Sequence, residues 1–456
     1  MSTFGTDGVR GEFGKELTET YAANLAEVAA QILQCKKVVI GRDTRESGSA
    51  LENAIAEALT RIGVEVQLMG VAPTPAIAFA AHKHGVVAIA ITASHNLFQD
   101  NGIKIFAAGG LKLSDDQQAS IEREMIARDT AVRDGVATNS QIVDEISSGG
   151  EKFVAERLNL RPELLQEYCD WIVDLVPRDA FKNLHVALDC ANGASSFVAP
   201  EAYRRAGAEV VAIFNQPDGW NINDDCGSTH LHHLRAAVLK EGADVGIAHD
   251  GDADRCLAID ALGNEIDGDH ILTILARGFK ARGVLKGDTV VGTVMSNLGF
   301  MHAMKDAGIT VVTTPVGDRY VLENMIANDY TLGGEQSGHV IMRDLANTGD
   351  GILTALQLLQ EVVRTGKTLQ ELAATMVRFP QVLINVKDVA KDKLPQSVVI
   401  ATAVKAAEER LGDSGRVLLR ASGTEALVRV MVEAASDSLA QEVAQQLADV
   451  VKSELG

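Results

Sequence analysis

The chain has 456 residues, of which 46% are hydrophobic and 23% charged, a composition that excludes a disordered or fibrous protein and suits three or four domains. The 62 acidic residues outnumber the 42 basic ones, and the net charge of −20 disfavours nucleic acid and anionic membrane surfaces as partners. Five scattered cysteines without a CxxC pair, no visible signal peptide and no long apolar run together predict a cytoplasmic protein without membrane spans.

Short apolar runs recur along the chain, and each leads directly into a polar loop. The runs and their loops are Val38–Ile40 before GRDTR, Val86–Ile91 before TASHN, His185–Leu188 before DCANG, Val245–Ala248 before HDGDADR, Val290–Val294 before MSNLG, and Thr331–Leu332 before GGEQSGH. Helical patterns such as Ala50–Arg61 and His233–Glu241 lie between them. This alternation predicts α/β units with buried, largely parallel strands, and it indicates one module repeated three times.

The C-terminal part of the chain has a different pattern. Val382–Val386, Arg416–Arg420 and Leu427–Glu433 are closely spaced strands that we expect to be antiparallel. A final helix is predicted to open with Ser438 and Gln441 in capping-box spacing. The fold class is therefore α/β, with three similar modules of mixed, largely parallel sheet between helices and a smaller C-terminal α+β domain, arranged around a central cleft. The predicted boundaries are 1–155, 156–256, 257–371 and 372–456.

The loop after the second apolar run carries a candidate phosphoryl acceptor. Ser94 lies on a tight turn beside His95, and Lys104 follows ten residues later. A serine with a neighbouring histidine and lysine could carry a phosphoryl group. A hydrogen-bonded serine turn that closes a strand, with an unrelated surface lysine, explains the same residues.

The loop Asp250–Arg255 carries a candidate metal site. Asp250, Asp252 and Asp254 alternate with small residues, so the three carboxylates can converge on one hard cation. An EF-hand is excluded, because it needs glycine at loop position 6 and glutamate at position 12, where this chain has Arg255 and Ala261. Three carboxylates leave room for a further oxygen, which a phosphate on Ser94 would supply. The alternative is a solvated acidic turn.

Two further loops carry side chains that could bind sugars and phosphates. In the third loop, Glu335 and Ser337 could hydrogen-bond to sugar hydroxyls and His339 could transfer protons, although a turn with an incidental histidine is an open alternative. In the fourth, the segment RASGT from Arg420 and the nearby Arg429 form a plausible phosphate site, and a simple hairpin turn would use Ser-Gly as well. Together the four loops predict a cleft that holds a phosphorylated sugar.

These motifs resemble those of the α-D-phosphohexomutases over nearly the whole chain, from FGTDGVRG to RASGTEALVRVMVE. Within that family, GWNINDDCGSTH, GTVMSNLGF, TPVGDRYVLENM and GGEQSGHV are most similar to the bacterial branch that isomerises glucosamine phosphates. Gln336 agrees with this, since members that act on mannose and glucose phosphates usually have methionine there.

The resemblance implies a role for each matching position. Ser94 would carry the phosphoryl group in the resting enzyme, and together with Asp250, Asp252 and Asp254 it would hold Mg²⁺. The other implied roles are support of the metal loop by Arg255; acid–base chemistry and charge stabilisation by Lys104, His339, Arg10 and His95; sugar binding by Glu335 and Ser337; and binding of the non-reacting phosphate by Arg420, Ser422, Gly423, Thr424 and Arg429.

The implied reaction is the isomerisation of glucosamine 6-phosphate to glucosamine 1-phosphate, an intramolecular phosphotransfer that feeds synthesis of UDP-N-acetylglucosamine and cell-wall precursors. It passes through a 1,6-bisphosphate, which also serves as activator. The partner is a phosphosugar rather than nucleic acid or membrane, and a homodimer is compatible with the resemblance. The alternatives are a phosphomannomutase/phosphoglucomutase of the same family, a non-catalytic sugar-phosphate sensor and a metal-dependent phosphatase.

Three positions depart from the pattern usual in the family. Leu97 and Ala426 replace prolines, and Ala253 replaces a glycine in the metal loop. None of these changes removes a functional group. If the backbone at position 253 requires a positive φ, the alanine there is strained by about 1–2 kcal/mol.

Overall fold

The computed structural model describes residues 4–5, 8–133, 159–422 and 427–456. The chain folds into two compact units, the first formed by 1–295 and 309–373, the second by 296–308 and 374–456. The predicted domain boundary at 155/156 lies outside the described residues. Among the helices of the described part, none combines the length and the apolar character needed to cross a membrane.

The first module of the first unit is a seven-stranded mixed sheet with helices around it. Its strands are β1 Val9–Glu12, β2 Lys37–Arg42, β3 Glu65–Val71, β4 Val87–Ile91, β5 Asp100–Ala107, β6 Leu111–Lys112 and β7 Asn159–Leu160; its helices are α1 Glu19–Ile32, α2 Glu46–Arg61, α3 Thr74–His84 and α4 Asp115–Arg133. The sheet order is β1-β5-β4-β2-β3-β7, with β6 paired to β5. Strands β2, β3, β4 and β7 are parallel, and all five residues of β4 are buried, as expected for a strand covered on both faces.

The second and third modules repeat this arrangement with smaller sheets. The second contains α5 Pro162–Asp174, β8 His185–Asp189, α6 Val198–Arg205, β9 Glu209–Ile213, α7 His232–Glu241, β10 Val245–Ala248, β11 Leu257–Asp260 and β12 Glu265–Ile266. The third contains α8 Gly268–Ala281, β13 Thr289–Thr293, β14 Thr310–Thr314, α10 Asp318–Asn328, β15 Leu332–Gly334, β16 Val340–Met342, α11 Gly351–Thr365 and α12 Leu369–Ala373, and its chain passes through α9 Leu298–Asp306, which belongs to the second unit.

In both sheets the central strands are parallel, and strands are added at one side by antiparallel pairing: β11 and β12 in the second module and β16 in the third. The orders are β12-β11-β10-β8-β9 and β14-β13-β15-β16. Strand β10 is parallel to β8 and antiparallel to β11, while β13 is parallel to β14 and β15. The prediction of repeated α/β modules with mixed, largely parallel sheets is therefore confirmed. The three loops with candidate functional residues follow the carboxyl ends of β4, β10 and β15.

The second unit contains a three-stranded antiparallel sheet of order β17-β19-β18, which confirms the predicted α+β character. Its elements are β17 Gln381–Lys387, α13 Val398–Leu411, β18 Arg416–Ala421, β19 Leu427–Glu433 and α14 Asp437–Leu455, together with α9. Val428, Val430 and Val432 alternate along β19 and share a core with Val443 and other residues of α14.

The predicted capping box of the final helix is wrong. The N-cap is Ser436, in extended conformation, and its hydroxyl accepts a hydrogen bond from the Leu439 N–H. Ser438 therefore lies inside the first helical turn, where its hydroxyl cannot cap the N-terminus. Two serines two positions apart offer the same cap chemistry, and the sequence pattern alone does not distinguish them.

A buried carboxylate attaches α9 to the C-terminal strands within the second unit. Glu433, at the end of β19, is fully buried and accepts hydrogen bonds from the Leu298 N–H at 2.9 Å and from Asn297 Nδ2 at 3.1 Å. Arg416 Nε lies 2.6 Å from the same carboxylate. Asn297 is also the N-cap of α9, so one ion pair stabilises both the strand end and the start of the helix.

Candidate active site

Ser94 is held on the strained turn that follows β4. Its φ is 53°, a left-handed conformation that is uncommon for a residue other than glycine. The Ser94 N–H donates to Thr92 Oγ1 at 2.9 Å, and the Ser94 hydroxyl donates to Asp250 Oδ2 at 2.6 Å. The structure therefore brings the predicted phosphoryl carrier and the predicted metal loop into direct contact, although they are 156 residues apart in the chain.

Two residues outside the predicted site hold this turn through its backbone. Asn223 Nδ2 donates to the carbonyl oxygens of Ser94 and Asn96, both at 2.8 Å. The Arg45 guanidinium is buried, donates to the Asn96 carbonyl at 2.5 Å and pairs with Asp43. In the sequence these two residues lie in the polar runs GRDTR and NINDD. Side chains that bind backbone carbonyl oxygens show no characteristic spacing of residue types, so their role could not be recognised there.

Asp250, Asp252 and Asp254 are buried together, and one carboxylate oxygen of each lies within 4.8 Å of the others. Burial, and then the charges of Asp254 and Asp252, raise the pKa of Asp250 to about 8. Asp252 Oδ1 and Asp254 Oδ1 are buried without a hydrogen-bond partner among the described residues. An all-oxygen set with unsatisfied buried acceptors fits a hard divalent cation such as Mg²⁺.

Ala253 is the residue whose backbone turns this loop. Its φ is 59°, so the condition stated for strain at this position is met, and the side chain is fully buried. The Gly351 N–H donates to the Ala253 carbonyl at 3.0 Å, which helps to hold the conformation.

Cationic groups surround the aspartate triad (Asp250, Asp252 and Asp254). Lys104 Nζ donates to Asp252 Oδ2 at 2.8 Å and to Asp254 Oδ2 at 3.0 Å. Arg255 Nε lies 3.8 Å from Asp250 Oδ2 and 3.9 Å from Asp254 Oδ1. Burial alone would raise the pKa of Asp254, but Lys104, His339 and Arg255 outweigh it and hold that pKa well below its usual value.

His339 lies between two carboxylates. Its Nδ1 is 3.6 Å from Asp254 Oδ1 and its Nε2 is 3.1 Å from Asp318 Oδ2. Burial lowers the pKa of His339, but the two carboxylates prevail and raise it to about 10. The two carboxylates favour the ring that carries a proton on both nitrogens. In the neutral ring, Nε2 would instead accept a hydrogen bond from the Gly349 N–H, which lies 3.1 Å away. Asp254 and Asp318 therefore favour the protonated form of His339.

Asp318 and Lys112 complete this network, and neither belongs to the predicted site. Asp318, at the start of α10, pairs with Lys112 as well as with His339. Lys112 and the imidazolium outweigh the effect of burial and lower the pKa of Asp318, so the carboxylate stays ionised. Asp318 lies in the motif TPVGDRY, which was a signal for the family but not for this role.

His95 lies beside the serine, and the charge of Arg10 acts on its ring. His95 Nδ1 is 3.4 Å from Ser94 Oγ. Burial, and then the charges of Arg255 and Arg10, lower the pKa of His95 to about 4. The ring is thus neutral, in contrast to His339. Arg10 lies on β1 opposite Gly102 of β5.

The loop after β15 presents two polar side chains of different character. Glu335 Oε1 accepts from the Gly317 N–H at 3.0 Å. Ser337 Oγ is buried and lacks a hydrogen-bond partner in the described part of the chain. Gln336 Nε2 donates to Asp267 Oδ2 at 3.3 Å. The Ser337 hydroxyl is therefore available to form a hydrogen bond with a ligand atom.

In the second unit, Arg420 of β18 and Arg429 of β19 are directly opposed in the antiparallel register. Burial, and then the charge of Arg429, lower the pKa of Arg420, as expected for like charges on neighbouring strands. The Ser422 N–H donates to the Leu427 carbonyl at 2.9 Å, and Lys391 Nζ, outside the predicted site, donates to the Ser422 carbonyl at 2.7 Å. This cationic face suits an anion. Gly423, Thr424 and Ala426 lie outside the described residues.

Comparison with known proteins identifies the class that this fold and site define. Family models described as the α/β/α domains I, II and III and the C-terminal domain of phosphoglucomutase/phosphomannomutase match residues 1–131, 166–263, 267–379 and 383–450. The chain therefore belongs to the phosphoglucomutase/phosphomannomutase family, which confirms the resemblance found in the sequence.

Among individual proteins, a phosphoglucosamine mutase from Frankia alni is 52% identical over 99% of this chain and 98% of that protein. A phosphoglucomutase/phosphomannomutase family protein from Burkholderia thailandensis has the same fold, with a TM-score of 0.78 at 22% identity over 98% and 97% of the two chains. The N-acetylphosphoglucosamine mutase of Aspergillus fumigatus, solved with GlcNAc-6P and magnesium, matches with a TM-score of 0.69 at 18% identity over 99% and 95%.

Proposed function

We propose that this chain interconverts glucosamine 6-phosphate and glucosamine 1-phosphate through a phosphoserine at Ser94 and a 1,6-bisphosphate intermediate. The observation that carries the proposal is the 2.6 Å hydrogen bond from the Ser94 hydroxyl to Asp250 of the aspartate triad. The choice of glucosamine is supported by the 52% identity to a protein named phosphoglucosamine mutase.

The charges of the site explain why a phosphoserine here requires a metal ion. Phosphorylation would add about 1.5 to 2 negative charges to Ser94, which already contacts one of three buried carboxylates. Mg²⁺ would be held by Asp250, Asp252 and Asp254 together with the phosphoserine, and when bound it would withdraw charge from the transferring phosphoryl group. Lys104 and Arg255 are already aligned on the same carboxylates and would neutralise the remaining charge.

Proton transfer is assigned to groups whose ionisation the surroundings have fixed. Protonated His339 is the acid of the site, because two carboxylates keep its pKa near 10. The hydroxyl of unphosphorylated Ser94 has two acceptors, Asp250 Oδ2 at 2.6 Å and neutral His95 Nδ1 at 3.4 Å. Either can take its proton when Ser94 recovers the phosphoryl group from the bisphosphate, while His339 gives its proton to the departing sugar oxygen. In the first transfer both protons move the opposite way. Lys104 and Arg10 would stabilise charge on the transferring group.

Substrate binding would use two separate sets of residues. Glu335 and the buried Ser337 hydroxyl would bind sugar hydroxyls. Arg420, Arg429 and Ser422, with Gly423 and Thr424, would bind the phosphate that does not react. Guanidinium groups bind the phosphate through two parallel hydrogen bonds and do not recognise the sugar. The same residues can therefore accept either isomer. The bisphosphate then reacts in both of its orientations.

The test is a coupled assay of the Mg²⁺-loaded protein with a catalytic amount of hexose 1,6-bisphosphate and glucosamine 6-phosphate, mannose 6-phosphate or glucose 6-phosphate. We expect fast conversion of the glucosamine substrate and slow conversion of the others. Preference for mannose or glucose phosphates would overturn the assignment of glucosamine phosphate as the substrate. The chain would then belong with the members of the family that act on mannose and glucose phosphates.

Two further outcomes of the same assay would overturn the reaction itself. Release of inorganic phosphate faster than isomer formation would indicate a phosphatase. Binding without conversion of any of the three sugars, with Ser94 never gaining the mass of a phosphoryl group, would indicate a sensor.

A further inference from the structure

A second group of metal-binding side chains lies on the surface of the first unit, at the N-terminal end of α7. Asp225, His230, His232 and His233 form this histidine cluster. Asp225 Oδ2 is 3.4 Å from His232 Nε2 and 3.3 Å from His233 Nε2, and Asp225 Oδ1 is 3.6 Å from His230 Nδ1. Three imidazoles therefore converge on one carboxylate.

The geometry of the cluster suits a single ion that is reached from solvent. One ligand atom each of Asp225, His232 and His233 lies within 4.8 Å of the other two. The two neighbouring imidazole rings have centroids only 4.0 Å apart, and their side chains are 53% and 45% exposed. The fourth member, His230, is half exposed and lies outside this close set, so water can complete the coordination of an ion there.

The donor types distinguish this cluster from the aspartate triad. The triad offers only oxygen and suits Mg²⁺, whereas a set dominated by imidazole nitrogen suits zinc and its neighbours in the transition series. We propose that the histidine cluster binds one Zn²⁺-class transition-metal ion. The inference does not depend on the proposed function.

The site is connected to the serine turn through two residues of chain. Asn223, which holds the carbonyl oxygens of Ser94 and Asn96 at 2.8 Å, lies two residues before Asp225. Phe214 supports the other side of the cluster, with its ring centroid 5.3 Å from that of His233. An ion bound to both Asp225 and α7 would fix the segment that carries Asn223. Zinc at this site should therefore restrain the serine turn.

The test uses the full chain and Zn²⁺ itself, with Mg²⁺ present at saturating concentration so that the aspartate triad is occupied. The variant His232→Ala/His233→Ala removes two ligands. The control His84→Ala removes an exposed histidine that is also paired with a carboxylate, Glu167 at 2.9 Å, but lies outside the cluster. Zinc content after dialysis, the dissociation constant by calorimetry and the d–d absorption of bound Co²⁺ are measured for all three proteins.

We expect wild type and His84→Ala to retain one equivalent of Zn²⁺ and to show the intense visible absorption of tetrahedral Co²⁺. The double variant should bind at least about tenfold more weakly, since even the loss of a ligand's supporting hydrogen bond costs 10–100-fold. Equal zinc binding by the double variant would overturn the proposal, because the ion would then lie elsewhere, for instance on cysteine. Absence of stoichiometric binding to wild type would overturn it as well.

Discussion

Replacing Gly349 by alanine tests whether the position of His339 matters for catalysis. A Cβ atom at residue 349 would lie 2.4 Å from Nε2 of His339 and 2.5 Å from two ring carbons. Since carbon atoms in contact are normally about 3.5 Å apart, the imidazole has to move by about 1 Å. The ring would then lose its present contacts with Asp254 and Asp318, which keep it protonated. A displacement of about 1 Å can cost on the order of 100-fold in rate.

The assay is kcat of the Mg²⁺-loaded variant with glucosamine 6-phosphate, together with the melting temperature. We expect kcat to fall about 100-fold while the protein remains folded. Gly48→Ala is the matched control, because the added methyl there meets only the flexible side chain of Arg42, at 3.2 Å, and kcat should stay near wild type. His339→Asn, which removes the ring without overpacking, should lose at least as much activity as Gly349→Ala. A wild-type kcat in both Gly349→Ala and His339→Asn would refute the role given to His339.

Three further predictions test other parts of the account. Because the pKa of His339 is raised to about 10 from about 6.5, its ionisation stabilises the fold at neutral pH and this contribution is lost as pH rises through about 10. Asp318→Asn should move that loss to lower pH, measured as melting temperature against pH, and an unchanged profile would contradict the assignment. Glu433→Gln should destabilise the second unit by about 3 kcal/mol in denaturant unfolding, because Arg416 loses a fully buried partner. The control is Glu442→Gln, which removes the half-exposed pair of Glu442 with Arg410. It should lower the free energy of unfolding by less than about 1 kcal/mol. Arg420→Lys should raise KM about tenfold for both isomers, because lysine loses one charge-assisted hydrogen bond to phosphate, worth about 1.5 kcal/mol. A rise of KM for one isomer only would show that the two isomers do not share the phosphate site.

The fold and the aspartate triad could be predicted because each depends on a local pattern. Short Val/Ile runs that lead into Gly, Asp or Ser define strands whose carboxyl ends carry the loops. Alternate carboxylates at Asp250, Asp252 and Asp254 require only a tight turn to converge. Ser94, on the loop that follows β4, and Lys104, on the next strand β5, also contact this triad.

The supporting residues could not be predicted, because their partners are distant in the chain and often belong to the backbone. Asn223 acts on carbonyl oxygens more than 120 residues away, and Arg45 acts on the same turn from a different loop. Asp318 acquires its role only where α10 begins next to His339. The protonation of His339 likewise depends on two carboxylates from separate modules. Ser436 rather than Ser438 caps the last helix because backbone conformation, not residue type, decides between two serines.

The central claim is that Ser94 carries the phosphoryl group that is transferred. The most direct measurement is a single-turnover experiment, in which protein labelled on Ser94 from a radioactive hexose 1,6-bisphosphate is purified and mixed with glucosamine 6-phosphate and Mg²⁺. The account predicts that the label leaves the protein as fast as the steady-state reaction proceeds and appears in the sugar bisphosphate. Ser94→Ala should take up no label and form no isomer. Isomerisation by Ser94→Ala near the wild-type rate, or label that stays on the protein during turnover, would contradict it.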